Sequence, residues 1–516
     1  MHPTIAINRR SFLTTTSLAG AALWASRVQG VTRKWLPLSD QPFQLGVASG
    51  DPNESGFVIW TRLAPKPLEG GGMPSEAIEV TWTVADDEAM TKVVQKGTSV
   101  ANPQWAHSVH VEVEGLAPDR WYWYQFKCGS DTSPKGRART FPTPGSHSEA
   151  LNFAFASCQH FEAGHYTAYE HMLKESLDLV VHLGDYIYEG PGRDTGVRKH
   201  VGGKLLTLED YRNRHAQYRT DSHLAAMHAA CPWLVTWDDH EFENNYANDI
   251  SEKQVAKDTF LLQRAAAYQA YYEHMPLRKA SLPNGPMMQL YRRATYGSLA
   301  DFFVLDTRQY RTDQPCGDGL KSPCDATFDP SATLLGDAQE QWLTTGLQTS
   351  KAKWNVMAQQ VMMARVDQKR GVEAAFSMDQ WPGYEVNRRR ILRSLHDHKV
   401  KNAIVLTGDI HSNWANELLL DFDDLGSKSV ATEFVGTSIS SGGDGAAQVK
   451  DLEQLQAENP FVKFHNRQRG YVRCRVSPQE WRTDYQIVPF VVKPSAPLVT
   501  VASFVVEAGD PTLKQI

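Results

Sequence analysis

Four apolar segments of the sequence each end in side chains that can bind a metal ion or transfer a proton. The segments run into Ser157-Cys158-Gln159-His160, Gly184-Asp185-Tyr186-Ile187-Tyr188, Asp238-Asp239-His240-Glu241 and Gly408-Asp409-Ile410-His411. Carboxylates gathered in one place repel each other and are costly to desolvate, so something positive should hold them together. A metal cluster is the simplest source of that charge, with one carboxylate bridging two ions.

Each of these groups follows a segment that we predict to be a β-strand. The strands predicted after residue 149 are Phe153–Ala156, Leu179–Leu183, Leu234–Trp237, Phe302–Leu305, Val356–Ala358 and Ile404–Thr407, and helical segments between them include Leu208–Met227, Thr259–His274 and Ala338–Leu347. This alternation predicts an α/β domain over residues 150–516, with its sites where strands end and loops begin. Tyr471–Val476 and Trp481–Val488 are predicted to form a hairpin on the same sheet, and Ala496–Val506 a buried strand.

Residues 40–145 have a different pattern, in which short strands alternate with turns. The β-rich segments are Phe57–Trp60, Ile78–Val84, Val109–Val113 and Trp121–Phe126. Their spacing predicts an N-terminal β-sandwich of the fibronectin or immunoglobulin type. Leu116–Tyr122 resembles the corner of fibronectin type III domains, in which a tyrosine hydroxyl bonds back to the preceding turn. The Pro/Gly-rich segment Phe141–Ser146 is expected to link the two domains.

Residues 1–30 have the layout of an export signal. Asn8-Arg9-Arg10-Ser11-Phe12-Leu13 precedes a weakly apolar stretch, Ser17–Ala25, and small residues lead to Gly30. Arg9 and Arg10 resemble the pair of the twin-arginine motif, so we expect export by the twin-arginine machinery to the periplasm or the medium. A basic amphipathic helix is the alternative, which Pro3 and the absence of acidic residues before Gly30 disfavour.

Composition excludes several classes of protein. With 41% hydrophobic and 22% charged residues, the 516-residue chain can bury a large core and is not a disordered protein. Its net charge of -6 gives no basic surface for nucleic acid, and no apolar run reaches the length of a membrane span. Six cysteines are too few for a disulfide scaffold, although Cys316 and Cys324 flank a loop that a local disulfide could close.

The order of the four motifs resembles that of the calcineurin-like metallophosphoesterases and, within them, the alkaline phosphatase D (PhoD-like) family. The resemblance covers nearly the whole chain and is most specific at Trp237–Glu241, Lys257–Phe260 and Gly408–Ser412. It implies an αββα metallophosphoesterase sandwich after the N-terminal β-domain. It also implies an exported alkaline phosphatase or phosphodiesterase, in which a hydroxide held by two metal ions attacks the phosphorus of a phosphate ester.

The resemblance further implies which residues bind the metals. Cys158, Asp185, Tyr188 and His411 would bind Fe³⁺, with Asp185 bridging to a second ion. Asp239 and Asp409 stand where relatives have asparagine and histidine, and they make the second site an oxygen site that suits Ca²⁺. Relatives have a further histidine where this chain has Gln359-Gln360. Water, Gln360 or Asn245 could complete the second site instead.

Other residues are expected to act on the substrate. His240 would protonate or stabilise the leaving alkoxide. Arg264 and Asn245 are predicted to bind phosphate, although a salt bridge explains Arg264 at least as well and a loop cap explains Asn245 equally well. His160 and Asp238 are expected to support their neighbours rather than to bind metal.

Three other functions remain open from the sequence. One is a phospholipase D-type phosphodiesterase of the same family. The second is a hydrolase with Cys158 as nucleophile and His160 or His240 as base. The third is an adhesion module with an inactive phosphatase fold. The sequence does not identify the phosphate ester.

Overall fold

The computed structural model describes residues 40–516, and the predicted export signal lies outside them. The N-terminal part is built of short strands, as the turn-rich sequence predicts. They are β1 (Val47–Gly50), β2 (Phe57–Arg62), β3 (Ile78–Ala85), β4 (Val93–Ala101), β5 (Ser108–Val113), β6 (Trp121–Cys128), β7 (Asp131–Thr132) and β8 (Gly136–Arg139).

The rest of the chain alternates strands with helices. The strands are β9 (Leu151–Ala156), β10 (Leu179–Leu183), β11 (Trp233–Thr236), β12 (Arg292–Tyr296), β13 (Ala300–Val304), β14 (Leu320–Lys321), β15 (Trp354–Ala358), β16 (Phe376–Ser377), β17 (Ala403–Thr407), β18 (Asn413–Leu419), β19 (Ser429–Val435), β20 (Gly445–Ala446), β21 (Val462–Val476), β22 (Glu480–Val488), β23 (Val499–Glu507) and β24 (Lys514–Gln515). The helices are α1 (Thr167–Met172), α2 (Leu208–Arg219), α3 (Ser222–Ala230), α4 (Lys257–His274), α5 (Gly336–Thr349), α6 (Glu385–Asp397) and α7 (Leu452–Glu458).

These strands form two sheets that share one long strand. In the first sheet β9, β10 and β11 are parallel neighbours. In the second sheet β13, β15, β17 and β19 are parallel neighbours. The first half of β21 pairs with β18 of the second sheet, and its second half pairs with β9 and β22 of the first. The parallel strands of both sheets therefore end close together.

Three apolar layers hold the sheets and helices in an αββα sandwich. The middle layer lies between the two sheets and contains Phe153, Phe302 and Ile404. A second layer packs helices α1 to α4 on the outer face of the first sheet. A third packs α5 and α6 on the outer face of the second sheet. Strands buried on both faces explain the continuous apolar runs of the sequence, and the predicted fold class is confirmed.

The N-terminal β-structure is joined directly to the first of the two sheets. Its own sheet contains β3, β4, β6, β7 and β8. Its other layer, β1, β2 and β5, continues the first sheet, because β1 pairs with β11 at Gly50 and Trp233. The Ala117 amide donates to the Tyr122 hydroxyl at 3.0 Å, as the fibronectin-like corner predicts.

The structure differs from the sequence-based prediction in one helix. The segment predicted as a single helix over Leu208–Met227 contains two, α2 and α3, because the chain leaves the helical conformation at Asp221. The Asp221 side chain accepts hydrogen bonds from the amides of His223 and Leu224 and so caps the second helix. The predicted disulfide between Cys316 and Cys324 is present.

Membrane-spanning helices are absent from residues 40–516, where no helix has both the length and the apolar character to cross a bilayer.

Candidate active site

The ends of the parallel strands bring the predicted metal ligands to one edge of the two sheets. Cys158 follows β9, Asp185 follows β10, Asp239 follows β11, and Asp409 follows β17. An isolated bridge between Ser157 and Ser438 joins the two sheets at this edge. Sites of α/β proteins lie outside the carboxyl ends of parallel strands, where loops diverge.

The backbone at this edge is strained. Cys158, Asp185, Asp409 and His411 all have positive φ angles, of 59°, 55°, 65° and 52°. Non-glycine residues rarely adopt this conformation, which costs about 1–3 kcal/mol for each residue and collects at functional sites. The fold therefore stabilises an otherwise unfavourable arrangement of four predicted ligands.

Glu241 anchors the two loops that follow β10 and β11. Its carboxylate accepts the amides of Asp185 at 3.1 Å, Tyr186 at 2.5 Å and Asp238 at 2.8 Å. Gly184 is required here, because a Cβ at this position would lie 2.4 Å from the Asp238 amide nitrogen. These contacts fix the relative positions of Asp185 and Asp238.

The four residues predicted to bind iron lie together. Ligand atoms of Cys158, Asp185 and His411 are within 4.8 Å of one another. The Tyr188 hydroxyl donates to Asp185 Oδ2 at 2.7 Å and lies 3.2 Å from His411 Nε2. Burial and the Asp185 carboxylate raise the pKa of both the Cys158 thiol and the Tyr188 hydroxyl. A cation bound here would oppose that rise by stabilising the thiolate and phenolate.

A second group of ligands adjoins the first through Asp185. Asp185, Asp239 and His240 form one set whose ligand atoms lie within 4.8 Å of one another, and Asp238, Asp239 and Asp409 form another. Asp185 thus belongs to the Cys158 set and to the His240 set. A carboxylate in this position can bridge two ions.

A buried arginine lies among the aspartates. Arg308 donates to Asp238 Oδ1 at 2.5 Å and Asp379 Oδ1 at 2.9 Å, and its Nη2 is 3.3 Å from Asp409 Oδ1 and 3.7 Å from Asp239 Oδ1. The guanidinium is fully buried, and the carboxylates raise its pKa well above the ordinary value. It supplies one positive charge to a group of four carboxylates.

One arginine does not satisfy these carboxylates. Asp238 Oδ2 and Asp239 Oδ1 are buried and have no hydrogen-bond partner. Burial raises the pKa of Asp409 to about 7 despite the neighbouring Arg308, and the nearby aspartates add to the rise. Unpaired carboxylate oxygens beside a thiol, a phenol and imidazoles are a donor set that fits metal ions. The site is therefore a candidate metal centre.

His240 is paired with a carboxylate that the sequence analysis did not identify. Its Nδ1 lies 2.7 Å from Glu189 Oε2. Burial opposes protonation of His240, but Asp239, Asp185 and Glu189 outweigh it and raise its pKa well above the ordinary value. These three carboxylates thus favour the protonated form of the imidazole.

The two residues predicted to bind substrate lie in different environments. Asn245 adjoins the cluster, since its amide donates to Asp239 Oδ2 at 2.7 Å and its side chain donates to Asp318 Oδ2 at 2.8 Å. Arg264 is buried, and its guanidinium donates to the Asn248 carbonyl at 2.6 Å and contacts the Met287 sulfur. These contacts hold Arg264 in a backbone-binding role, and its role as a phosphate ligand stays a prediction.

Both polar atoms of the Gln360 side chain hydrogen-bond to groups at the strand ends, so the side chain is not free to bind a metal ion. Its Nε2 donates to Thr236 Oγ1, the Trp237 carbonyl and the Leu305 carbonyl, at 2.8 to 2.9 Å. Its Oε1 accepts from both the amide and the hydroxyl of Thr307. Gln360 therefore joins the ends of β11, β13 and β15, and Asn245 is the better placed of the two candidates for the second site.

Sequence reasoning missed Arg308, Asp379, Glu189 and Ser441, whose hydroxyl lies 2.7 Å from the Tyr188 hydroxyl. A signal existed for Arg308, because it follows the predicted strand Phe302–Leu305 just as the other site residues follow theirs. Asp379 and Ser441 lie in loops distant in sequence from the four motifs, and no local pattern identifies them.

Replacement of Arg308 tests whether its charge balances the aspartates. We expect Arg308→Met to lower the unfolding free energy of the metal-depleted protein by about 3–5 kcal/mol, because it leaves buried carboxylates without a counter-charge. Added Ca²⁺ should then raise the melting temperature of the variant more than that of the wild type. Urea denaturation and thermal unfolding measure both effects.

The matched control is Arg264→Met, which removes another buried arginine but no contact with the aspartates. Its response to Ca²⁺ should equal that of the wild type. Equal stability of metal-depleted Arg308→Met and wild type would contradict the electrostatic role.

Comparisons with known proteins agree with this arrangement. Residues 153–485 match the family model of the PhoD-like phosphatases, and residues 30–142 match that of the PhoD-like phosphatase N-terminal domain. Alkaline phosphatase D of Bacillus subtilis (strain 168) is 55% identical over 483 residues, which cover 93% of this chain and 83% of that protein. A solved structure described as the structure of PhoD has a TM-score of 0.92 and 54% identity, over 93% of each chain. The chain belongs to the PhoD-like phosphatase family.

Proposed function

We propose that this PhoD-like phosphatase hydrolyses phosphate esters at the centre formed by Cys158, Asp185, Tyr188, Asp239, Asp409 and His411, with His240 as general acid. The observation that supports this most directly is that Asp185 lies close both to Cys158 and His411 and to Asp239 and His240. The pKa of His240 is raised by the neighbouring carboxylates. The family model covers residues 153–485, which include all of these residues. We further propose a division into an N-terminal β-domain of residues 40–145 and a catalytic domain of residues 150–516.

The ligand types support a specific pair of metals. Cys158 and Tyr188 would give Fe³⁺ a thiolate and a phenolate, with Asp185 and His411 completing the set. Asp239 and Asp409, together with the shared Asp185, would hold Ca²⁺ through oxygen atoms. Two metal ions supply Lewis acidity and lower the pKa of water in hydrolases of this kind.

The chain's own residues would prepare and complete the reaction. His240 would donate a proton to the leaving alkoxide, and Glu189 would orient the ring through Nδ1 and leave Nε2 to face the substrate. Asn245 would orient a phosphoryl oxygen next to Asp239. Arg308 would keep Asp238, Asp239 and Asp409 in place through its buried hydrogen bonds and ion pairs.

Substitution of His240 tests the acid role. His240→Ala should lower kcat on p-nitrophenyl phosphate by about 10²- to 10⁴-fold, because a positioned proton donor contributes that much. Glu189→Gln should lower it less, since the ring would lose its orientation but remain. Metal content measured alongside should be unchanged in both variants, and loss of metal from His240→Ala would make His240 a ligand instead. His398→Ala, on the exposed end of α6, serves as the control.

The metal assignment predicts colour and a calcium requirement. Native protein should show a visible charge-transfer band from ligand to Fe³⁺, which Tyr188→Phe shifts or abolishes. Tyr186→Phe should leave the band unchanged, because the Tyr186 hydroxyl contacts His228 instead. Activity lost on chelation should return only when Ca²⁺ is present. A colourless, iron-free and fully active preparation, or recovery with Zn²⁺ alone, would refute this assignment.

Two alternatives differ in their support. A phospholipase D-type phosphodiesterase would use the same centre, and a panel of phosphomonoester, phosphodiester and phospholipid substrates separates it from a phosphomonoesterase by kcat/KM. A cysteine nucleophile needs a lowered thiol pKa. Burial instead raises the pKa of Cys158, and the carboxylate of Asp185 adds to the rise.

We also propose export by the twin-arginine machinery, and the evidence for it is the Arg9-Arg10 pair and the apolar stretch that follows. N-terminal sequencing of protein recovered outside the cytoplasm tests it. A chain that still begins before Arg9 would contradict cleavage near Gly30.

A further inference from the structure

A second cluster of metal-binding side chains lies beside the active site. His160, Glu162 and His200 place one ligand atom each within 4.8 Å of one another. His160 and Glu162 flank Phe161 at the turn after Cys158, and His200 lies in the loop of residues 190–203. The site described above uses none of these three side chains.

Two atoms of this cluster face each other without a hydrogen bond. Glu162 Oε2 and His200 Nδ1 are buried and have no partner, although they lie only 3.5 Å apart. The two side chains are 3% and 0% exposed. Their other polar atoms are occupied, since Glu162 Oε1 accepts the amides of Arg193 at 2.7 Å and His200 at 2.9 Å, and His200 Nε2 lies 3.0 Å from the Tyr218 hydroxyl.

This separation matches two ligands of one small cation. Zinc binds nitrogen and oxygen ligands at about 2.0–2.2 Å, which puts neighbouring ligand atoms of a tetrahedral site about 3.4 Å apart. Two imidazoles with one carboxylate are a common zinc ligand set. Burial, helped by the Arg214 guanidinium, lowers the pKa of His200 to about 2, so its ring is neutral and keeps a lone pair.

Two arginines near the cluster oppose the binding of a divalent cation. Arg214 is held by the carbonyls of Tyr188 and Gly190, and Arg193 lies in the same loop as His200. Both positive charges oppose a further cation, so Glu162, the acidic member of the cluster, is needed to offset them. His160 Nδ1 accepts the Glu162 amide at 3.2 Å, and a bound ion would replace this hydrogen bond, because a neutral imidazole has one lone pair. The ring is partly exposed, which gives an ion access from solvent.

We propose that His160, Glu162 and His200 bind a zinc-class divalent cation, which fastens the loop of residues 190–203 to the wall of the active site. Through this site the loop would be tied to His160, whose ring lies 4.4 Å from that of Tyr188. The inference is independent of the proposed function, because it needs no ligand of the active centre.

Metal analysis of the mature protein tests the site directly. The wild type, Glu162→Gln, His200→Gln and a control are equilibrated with Zn²⁺, dialysed and analysed for zinc, iron and calcium. Glu162→Gln keeps Oε1 as acceptor for the two loop amides and removes the negative charge. The control is His147→Gln, because His147 lies 3.5 Å from Glu149 on the surface, with both side chains exposed.

We expect Glu162→Gln and His200→Gln to bind one zinc per chain fewer than the wild type and the control, with unchanged iron and calcium. Equal zinc in all four proteins would overturn the proposal. Loss of iron or calcium together with zinc would also overturn it, since the cluster would then not be a separate site.

Limited proteolysis gives a second measurement that does not depend on activity. Arg193 and Lys199 are exposed in the loop and are sites for trypsin. Zn²⁺ should slow cleavage at these residues several-fold in the wild type and in His147→Gln, but not in His200→Gln. Equal slowing in His200→Gln, or none in the wild type, would contradict a role for the ion in ordering the loop.

Discussion

The repulsion between buried carboxylates at the edge of the two sheets is the constraint on which the rest of this structure depends. Asp238, Asp239, Asp379 and Asp409 are all within 4 Å of the Arg308 guanidinium, and the described chain places no second arginine or lysine within that distance of Asp238, Asp239 or Asp409. Burying several like charges is unfavourable unless counter-charges accompany them. Arg308 supplies part of that charge, and one buried oxygen each of Asp238 and Asp239 has no hydrogen-bond partner among the described residues.

The fold meets this constraint with rigid supports outside the ligands. Gln360 joins three strand ends, Glu241 binds three amides of the loops after β10 and β11, and Arg311 bonds Asp379 at 2.6 Å. Of the four predicted ligands with positive φ angles, Asp185 is held directly in this way, because its amide donates to Glu241. Strain of this kind persists only where the surrounding structure determines the backbone conformation. The sandwich core therefore serves the site by preventing these loops from relaxing.

The strands and the four ligand motifs were predictable because their signals are local. Strands that are buried on both faces have short, continuous apolar sequences, and each of these sequences is followed within a few residues by its functional side chains. Strand ends differ from the predictions by only one or two residues at most of these positions, for example at Trp233–Thr236, where Leu234–Trp237 was predicted. The break at Asp221 was missed because no glycine or proline marks it, and the cap depends on one side chain.

The α/β domain and the order of the ligand motifs could be predicted from residue types and short spacings, and the αββα class from the family that these motifs resemble. The tertiary structure sets which further groups complete the site. It brings Arg308, Asp379 and Ser441 to the ligands from separate loops, and it pairs Glu189, the neighbour of Tyr188 in sequence, with His240. It also decided that β1 extends the catalytic sheet and that Arg264 binds a backbone carbonyl. Such contacts depend on how strands pair and pack over long sequence separations, and no local pattern encodes those distances.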